Sequence, residues 1–188
     1  KLRVTTNINY AANKGRRPGQ GSEDGSRYLG QWFQRSLDMN RLKDYKYDDG
    51  TFLHWNLRRP SSSTGEVTNF NPLYWANPYF LANENFSDDS RDRFFGDVGL
   101  SYQITPELKV SGFVRSDMYT QNINSRASFG GTGVPGYSVG KYQNTEMNYE
   151  VLAQYNKTWN KLSLDANVGG NIYDRDYSYL YMATVGGL

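Results

Sequence analysis

Five segments of the chain alternate between apolar and polar residues, as β-strands with two chemically different faces do. They are Leu2–Ala12, Arg93–Ile104, Leu108–Gln121, Thr145–Lys157 and Leu162–Tyr173. One face, which includes Val98 and Leu100, is apolar or small and uncharged except at the segment ends, whereas the other carries acids, bases and amides. The pattern predicts an all-β protein in which the segments form one antiparallel sheet.

The connections between these segments are very short at one end of the sheet and long at the other. Thr105–Glu107 joins the second segment to the third, and Thr158–Lys161 joins the fourth to the fifth. In contrast, about 80 residues (13–92) separate the first two segments, and about 23 separate the third from the fourth. Short periplasmic turns and long extracellular loops are typical of bacterial outer-membrane β-barrels. The chain is therefore predicted to be part of a transmembrane barrel, with 13–92 as a long extracellular loop.

A membrane barrel explains why the two faces differ. A lysine or arginine that faces lipid at the bilayer midplane costs about 2–4 kcal/mol, whereas positions that face the lumen accept polar groups. The residues predicted to face the lumen are Asp97, Lys109, Arg115, Asp117, Glu150 and Asp165. The aromatic residues near the short turns, predicted to form a girdle at the membrane interface, are Tyr102, Tyr155 and Trp159. A soluble β-sandwich also alternates in this way and is the alternative fold.

The segment 13–92 contains two further local patterns and many aromatic residues. Leu29, Phe33 and Leu37 share one helical face, which predicts a short helix within 27–37. The two Asn-Pro steps in Asn71–Phe80 predict an ordered loop, because proline restricts its own φ and the conformation of the preceding residue. The rings that could pack against the apolar faces of a sugar are those of Trp32, Phe33, Trp55, Tyr74, Trp75 and Tyr79. The alternative is that such rings form the loop's own small core.

The composition excludes several classes of function. The chain has 188 residues, a net charge of +2, one histidine and no cysteine. A nucleic-acid-binding protein would need a clustered positive excess, and disulfides or thiolate metal sites would need cysteine. The sequence contains no run of about 18 apolar residues, so no transmembrane helix is predicted.

No catalytic motif is present in the sequence. His54 is the only imidazole, so any histidine-based triad would depend on it, and its position in a loop favours a structural or surface role. Asp48-Asp49-Gly50 lacks the full spacing of a calcium-binding loop. Gly130, Gly131, Gly133 and Gly136 after the third segment indicate flexibility. We predict that the chain is not an enzyme and needs no metal or cofactor.

Two stretches of strand sequence carry a family resemblance. They are Trp75–Phe80 followed by Arg91–Tyr102, and Asn148–Lys157 followed by Leu164–Asn171. Both stretches resemble the barrel region of the SusC/RagA-type TonB-dependent transporters of Bacteroidetes. Ala183–Leu188 is similar to the loop that follows the last of these strands in that family. The resemblance covers nearly the whole chain and is carried by diffuse strand patterns rather than by a compact motif.

The resemblance implies that residues 1–188 are one segment of a single outer-membrane barrel domain of about 22 strands. Members of the family import oligosaccharides or peptides with a SusD-like surface lipoprotein as a lid and with energy from the TonB complex. The plug domain and most strands of such a barrel are missing here, so we expect the rest of the barrel and outer-membrane lipid to be partners. Two alternatives stay open: a soluble β-sandwich that binds glycans, and a porin or adhesin barrel without energy coupling.

Overall fold

The chain folds around one β-sheet, seen in a computed structural model that describes residues 1–18, 34–57, 63–66 and 69–187. Five antiparallel strands follow one another across the sheet in chain order. They are β1 (Leu2–Pro18), β2 (Phe86–Gln103), β3 (Leu108–Ala127), β4 (Gly136–Trp159) and β5 (Leu162–Ala183). The prediction of an all-β protein with a single antiparallel sheet is confirmed.

The strands are longer than the alternation of the sequence predicts. They contain 17 to 24 residues, more than the roughly 9–11 that a tilted strand needs to cross a bilayer. As a result, residues 19–85 rather than 13–92 connect β1 to β2. Only Ser128–Pro135 connects β3 to β4, so the prediction of a connection of about 23 residues there is wrong. The physical reason is that both faces of the strands become polar toward this end, and alternation no longer marks them.

The turns at the other end of the sheet are as short as predicted. Between β2 and β3, the amide of Ile104 donates to the carbonyl of Leu108 at 2.9 Å, and Thr105 Oγ1 accepts from the amide of Leu108 at 3.1 Å. Between β4 and β5, only Asn160 and Lys161 form the turn, and Asn160 has a φ of +48°. Asparagine tolerates this left-handed conformation, which two-residue hairpins require.

The chain divides into two compact units, which are described separately. The first unit consists of Lys1–Asn13, Arg91–Gln121 and Lys141–Tyr179, and the second of Lys14–Ser90, Asn122–Gly140 and Leu180–Leu188. In the first unit, apolar side chains of β2, β3 and β4 line one depression on the sheet. This apolar face is exposed: Ile8 is 67 % exposed, Val98 52 % and Val168 75 %. A sandwich would need a second sheet over this face, and the described residues form only one sheet.

The second unit contains the long connection, whose described residues form two short helices. Helix α1 (Met39–Lys43) begins after Asp38, whose side chain accepts from the amide of Asn40 at 2.9 Å. Helix α2 (Pro78–Glu84) begins after Asn77, with proline at the first helical position, where its missing N–H costs nothing. The helix predicted within 27–37 is not seen at 34–37, and its other residues lie outside the described ones.

A small apolar cluster, here called the loop core, holds the connection together. It consists of Phe52, Ala76, Phe80 and Leu81, with Tyr45 packed against it. The rings of Phe52 and Phe80 meet edge to face at 4.7 Å between centroids. Asp48-Asp49-Gly50 forms the tight turn before Phe52, in which Asp49 Oδ1 accepts from the amide and the hydroxyl of Thr51. Contacts among its own side chains therefore stabilise the described part of the loop.

Candidate functional site

Hydrogen bonds and ion pairs between neighbouring strands cover the polar face of the first unit. From β1 to β2, Asn7 Nδ2 donates to Asp97 Oδ1 at 3.0 Å. From β2 to β3, Arg93 Nε donates to Asp117 Oδ1 at 2.8 Å. From β3 to β4, Arg115 donates to Glu150 at 2.7 Å. Opposite charges on adjacent strands thus neutralise each other along the sheet.

The same pairing continues from β4 to β5. Asn148 and Asn171 exchange two amide hydrogen bonds, of 3.2 and 2.9 Å. Arg175 Nε donates to Asn144 Oδ1 at 2.8 Å and lies 3.4 Å from Glu146 Oε1. Side chains of all five strands line a shallow depression of about 390 Å³ on this face, among them Asn9, Phe95, Asp97, Arg115, Asp117, Glu146, Asn148 and Tyr173.

Five of the six residues predicted to face the lumen take part in these contacts across the polar face. They are Asp97, Arg115, Asp117, Glu150 and Asp165, the last of which accepts from Asn156. The sixth, Lys109, lies half-buried in β3. Of the predicted girdle residues, Tyr102 and Trp159 are 51 % and 45 % exposed and Tyr155 is half-buried. That these residues face a lumen or an interface stays a prediction.

The face opposite this network is uncharged along much of the first unit and then becomes polar. Toward the end of the sheet that bears the long connection, it carries Tyr10, Asp92, Thr120, Gln143, Thr145, Asp176 and Ser178. The hydroxyl of Tyr10 donates to Asp92 Oδ1 at 2.7 Å and closes the apolar band at this edge. The apolar band on β2 thus runs from Tyr102, beside the turn, to Phe94.

Four of the six aromatic candidates of the long connection lie among the residues that the structure describes. Trp32 and Phe33 lie outside the described residues. Tyr74 is 67 % exposed, whereas Trp55, Trp75 and Tyr79 are half-buried. Asn56 accepts from the amides of Leu73 and Tyr74, which brings the two aromatic segments side by side. The loop core is built from other rings, those of Phe52 and Phe80, and contact of the six candidates with a sugar stays a prediction.

His54 has the structural role that its position in a loop suggested. Its side chain is 2 % exposed and packs edge to face on Phe80 at 5.1 Å. Nδ1 accepts from the amide of Asn77 at 2.9 Å, so the ring hydrogen is on Nε2, which donates to the carbonyl of Gly130 at 2.8 Å. Burial lowers the pKa of His54 from 6.5 to about 4.

The long connection should therefore become less stable in acid. Protonation of His54 places a hydrogen on Nδ1, where it faces the N–H of Asn77 and breaks that hydrogen bond. The His54 ring is therefore protonated below about pH 6.5 when the loop is unfolded, but only below about pH 4 when it is folded. Stability falls from about pH 6.5 to about pH 4 and then levels off, a loss on the order of 3 kcal/mol. We expect hydrogen–deuterium exchange at the Asn77 amide to show this loss. A His54→Phe variant should remove most of the pH dependence, and an unchanged dependence in that variant would contradict the assignment.

Gly130 is required by packing rather than by flexibility, which corrects the interpretation of the glycine-rich connection at this position. Its φ is +88°, and a Cβ atom there would lie 2.4 Å from Cδ2 of Phe52 in the loop core. Gly50 has a similar φ of +85°, but nothing lies within 4 Å of its Cβ position. Comparing alanine substitutions at Gly50 and Gly130 therefore distinguishes the cost of the backbone conformation from the cost of the clash with Phe52.

Gly130→Ala should destabilise the loop core more than Gly50→Ala does. Both substitutions carry a left-handed backbone penalty of about 1–2 kcal/mol. The clash with Phe52 should add about 1–3 kcal/mol at Gly130 alone. Exchange at the amides of Leu53 and Leu81, which donate to Tyr45 and Asn77, measures the difference. Equal effects of the two substitutions would show that Phe52 moves aside.

Sequence reasoning missed a row of tyrosines on β5. The predicted strand stops at Tyr173, but β5 continues to Ala183 and presents Tyr173, Tyr177 and Tyr179 at every second or fourth position. The signal was present as alternation of tyrosine with Asp174, Asp176 and Ser178.

Comparison with models of known protein families gave no match, and no curated protein matched the chain either. Among the described residues, no helix is long and apolar enough to cross a membrane. In the same part of the chain, no group of three or more histidine or acidic side chains is placed to hold a metal ion.

Proposed function

We propose that this chain is a segment of an outer-membrane β-barrel that imports oligosaccharides or peptides. The observation that carries the membrane part of the proposal is the exposed, uncharged face of the sheet. It includes Val4, Ile8, Val98, Leu100, Val114, Tyr149, Val151, Leu164, Val168 and Ile172, each at least 41 % exposed. Soluble proteins rarely expose contiguous apolar patches larger than a few hundred Å². Such a face is more stable in contact with the hydrocarbon of a lipid bilayer than in contact with water.

The polar face supports a water-filled interior on the other side of the sheet. Arg93, Arg115 and Arg175 lie on this face with carboxylates, at side-chain exposures of 42–52 %. Charged groups of this kind would be costly in hydrocarbon or in a dry core. In a barrel wall they line the lumen, where such groups are accepted.

The edges of the sheet favour a larger barrel. β1 and β5 pair on one side only within the described residues, and β5 is exposed along its whole length. Unpaired strand edges are not tolerated in lipid, so further strands of the same barrel should complete both edges. The resemblance to the SusC/RagA family supplies the import function, with a SusD-like lipoprotein and the TonB complex as partners.

Purification from native membranes tests this proposal. The polypeptide that contains this chain should be recovered from the outer membrane with detergent, with an intact mass several times that of this chain. A large surface lipoprotein should be purified with it, and import of its substrate should stop when TonB is deleted. Recovery of a water-soluble protein of this size would contradict the proposal. Detergent-dependent recovery with import that does not need TonB would favour a porin instead.

A further inference from the structure

Four tyrosines form a strip on the polar face where β4 and β5 pair, here called the tyrosine strip: Tyr142, Tyr173, Tyr177 and Tyr179. The rings of Tyr142 and Tyr179 stack at 5.1 Å between centroids with an interplanar angle of 28°. Tyr173 lines the depression of the polar face with Glu146 and Asn148. Tyr173, Tyr177 and Tyr179 are 50–56 % exposed, so their rings are accessible to a ligand.

Polar groups beside the tyrosine strip are held in place by one another. Arg175 bonds to Asn144 and approaches Glu146, and its guanidinium lies 5.8 Å from the centroid of the Tyr177 ring. Asn144 Nδ2 also donates to Glu146 Oε1 at 3.1 Å. Asn144 is buried and holds the other two side chains, so the guanidinium of Arg175 and the carboxylate of Glu146 are the groups that can bond to hydroxyl groups of a ligand.

Three arginines of this face are already paired with carboxylates, which bears on the kind of ligand. Arg93 pairs with Asp117, Arg115 with Glu150, and Arg175 with Glu146. A peptide terminus or an acidic sugar would have to compete with a carboxylate for each of these arginines. A ligand with hydroxyl groups and no charge can use the same groups as hydrogen-bond partners and leave the ion pairs intact.

We infer that the tyrosine strip binds a neutral oligosaccharide, whose apolar ring faces pack on Tyr177 and Tyr179 while its hydroxyls bond to Glu146 and Arg175. This inference rests on the proposed function, because the strip would be reached from the lumen of the barrel. It assigns the polar face, rather than the aromatic residues of the long connection, as the surface that contacts the cargo. It also selects uncharged glycans over peptides.

Binding to a panel of probes tests the inference on the full-length, detergent-purified protein. The panel contains short neutral oligomers of glucose, mannose and xylose, oligomers of uronic acids, and short peptides. At least one neutral oligosaccharide should bind more tightly than every uronic-acid oligomer and peptide. Binding of peptides or acidic glycans alone, or no glycan binding, would overturn the inference.

Variants in the strip locate the site. A Tyr177→Ala/Tyr179→Ala double variant should bind the neutral probe about 10-fold more weakly or worse, because two aromatic contacts are lost. Tyr179→Phe should retain most binding, since its ring still offers a face to the sugar. Tyr149→Leu, on the apolar face of β4, is the matched control and should bind as the parent does.

Two readouts keep the inference separate from the proposed function. Each variant is first checked for recovery from the outer membrane in folded form. If the parent protein is in the outer membrane and the double variant binds the neutral probe unchanged, the tyrosine strip is not the binding site, but the proposed outer-membrane barrel is not contradicted. If the parent is water-soluble, the proposed function itself fails.

Discussion

Val98→Arg should strongly reduce the amount of folded protein in the outer membrane. Val98 lies halfway between Tyr102, beside the short turn, and Phe94, after which Asp92 ends the apolar band. At about 3.3 Å per residue and a tilt near 45°, this stretch covers about 19 Å, which is most of an apolar band of roughly 25 Å, and Val98 at its centre lies near the midplane. An arginine there costs about 2–4 kcal/mol, or roughly 30- to 700-fold in the folding equilibrium. Urea titration of the full-length protein refolded into lipid vesicles measures the change.

Asn7→Arg is the matched control for this substitution. Asn7 lies on the polar face and donates to Asp97, the neighbour of Val98 in β2. An arginine at this position meets a carboxylate and, in the proposed barrel, water, so we expect a change within about 0.5 kcal/mol. Equal losses in both variants would contradict the assignment of the apolar face to lipid.

Asn77→Leu should be the most damaging substitution in the long connection. Asn77 is fully buried, and its Nδ2 donates to the carbonyls of Leu42 and Leu53 at 2.8 and 2.9 Å. Its Oδ1 accepts from the amide of Tyr79 at 2.9 Å and caps helix α2. Leucine has a similar size but satisfies none of these groups, so we expect a loss on the order of 4 kcal/mol from the cap and two buried carbonyls. Hydrogen exchange of helix α2 in the full-length protein measures it.

Asn83→Leu provides the comparison within the same helix. Asn83 is exposed, and its side chain donates to the carbonyl of Tyr79 one turn earlier. Water replaces that bond when the amide is lost, so the change should stay within about 0.5 kcal/mol. If both asparagines prove equally tolerant, the network around Asn77 does not hold the loop.

The sheet could be predicted from the sequence because its two faces differ in polarity. The contrast between Val98 and Leu100 on one face and Asp97 and Arg115 on the other shows which residues are in strands and which face each occupies. The short turns then show which strands are neighbours in the sheet. The strand ends could not be predicted in the same way. Beyond Asp92 on β2 and Thr120 on β3, the face opposite the charged network is polar as well, so period-two alternation of hydrophobicity disappears although the backbone remains extended.

The long connection was harder to predict because its order comes from single contacts between distant residues. The bonds from His54 to Asn77 and Gly130 join positions 23 and 76 residues away in the chain. No local sequence pattern predicts these hydrogen bonds. Helix α2 was not predicted because its first residues lie in Asn71–Phe80, and the step Asn77-Pro78 can begin a helix as well as form part of a loop. The exposed tyrosines of β5 were missed because the predicted strand stops too early.

Accessibility along β2 of the full-length protein in its native membrane tests the central claim most directly. Single cysteines are placed at Asp97, Val98, Leu100, Ser101, Tyr102 and Gln103 in a cysteine-free background and given a spin label; residues 1–188 themselves have no cysteine to replace. Labels at Val98, Leu100 and Tyr102 should collide with oxygen dissolved in lipid, and labels at Asp97, Ser101 and Gln103 with a water-soluble relaxation agent. Equal access of the water-soluble agent to both sets would show that the apolar face does not meet lipid.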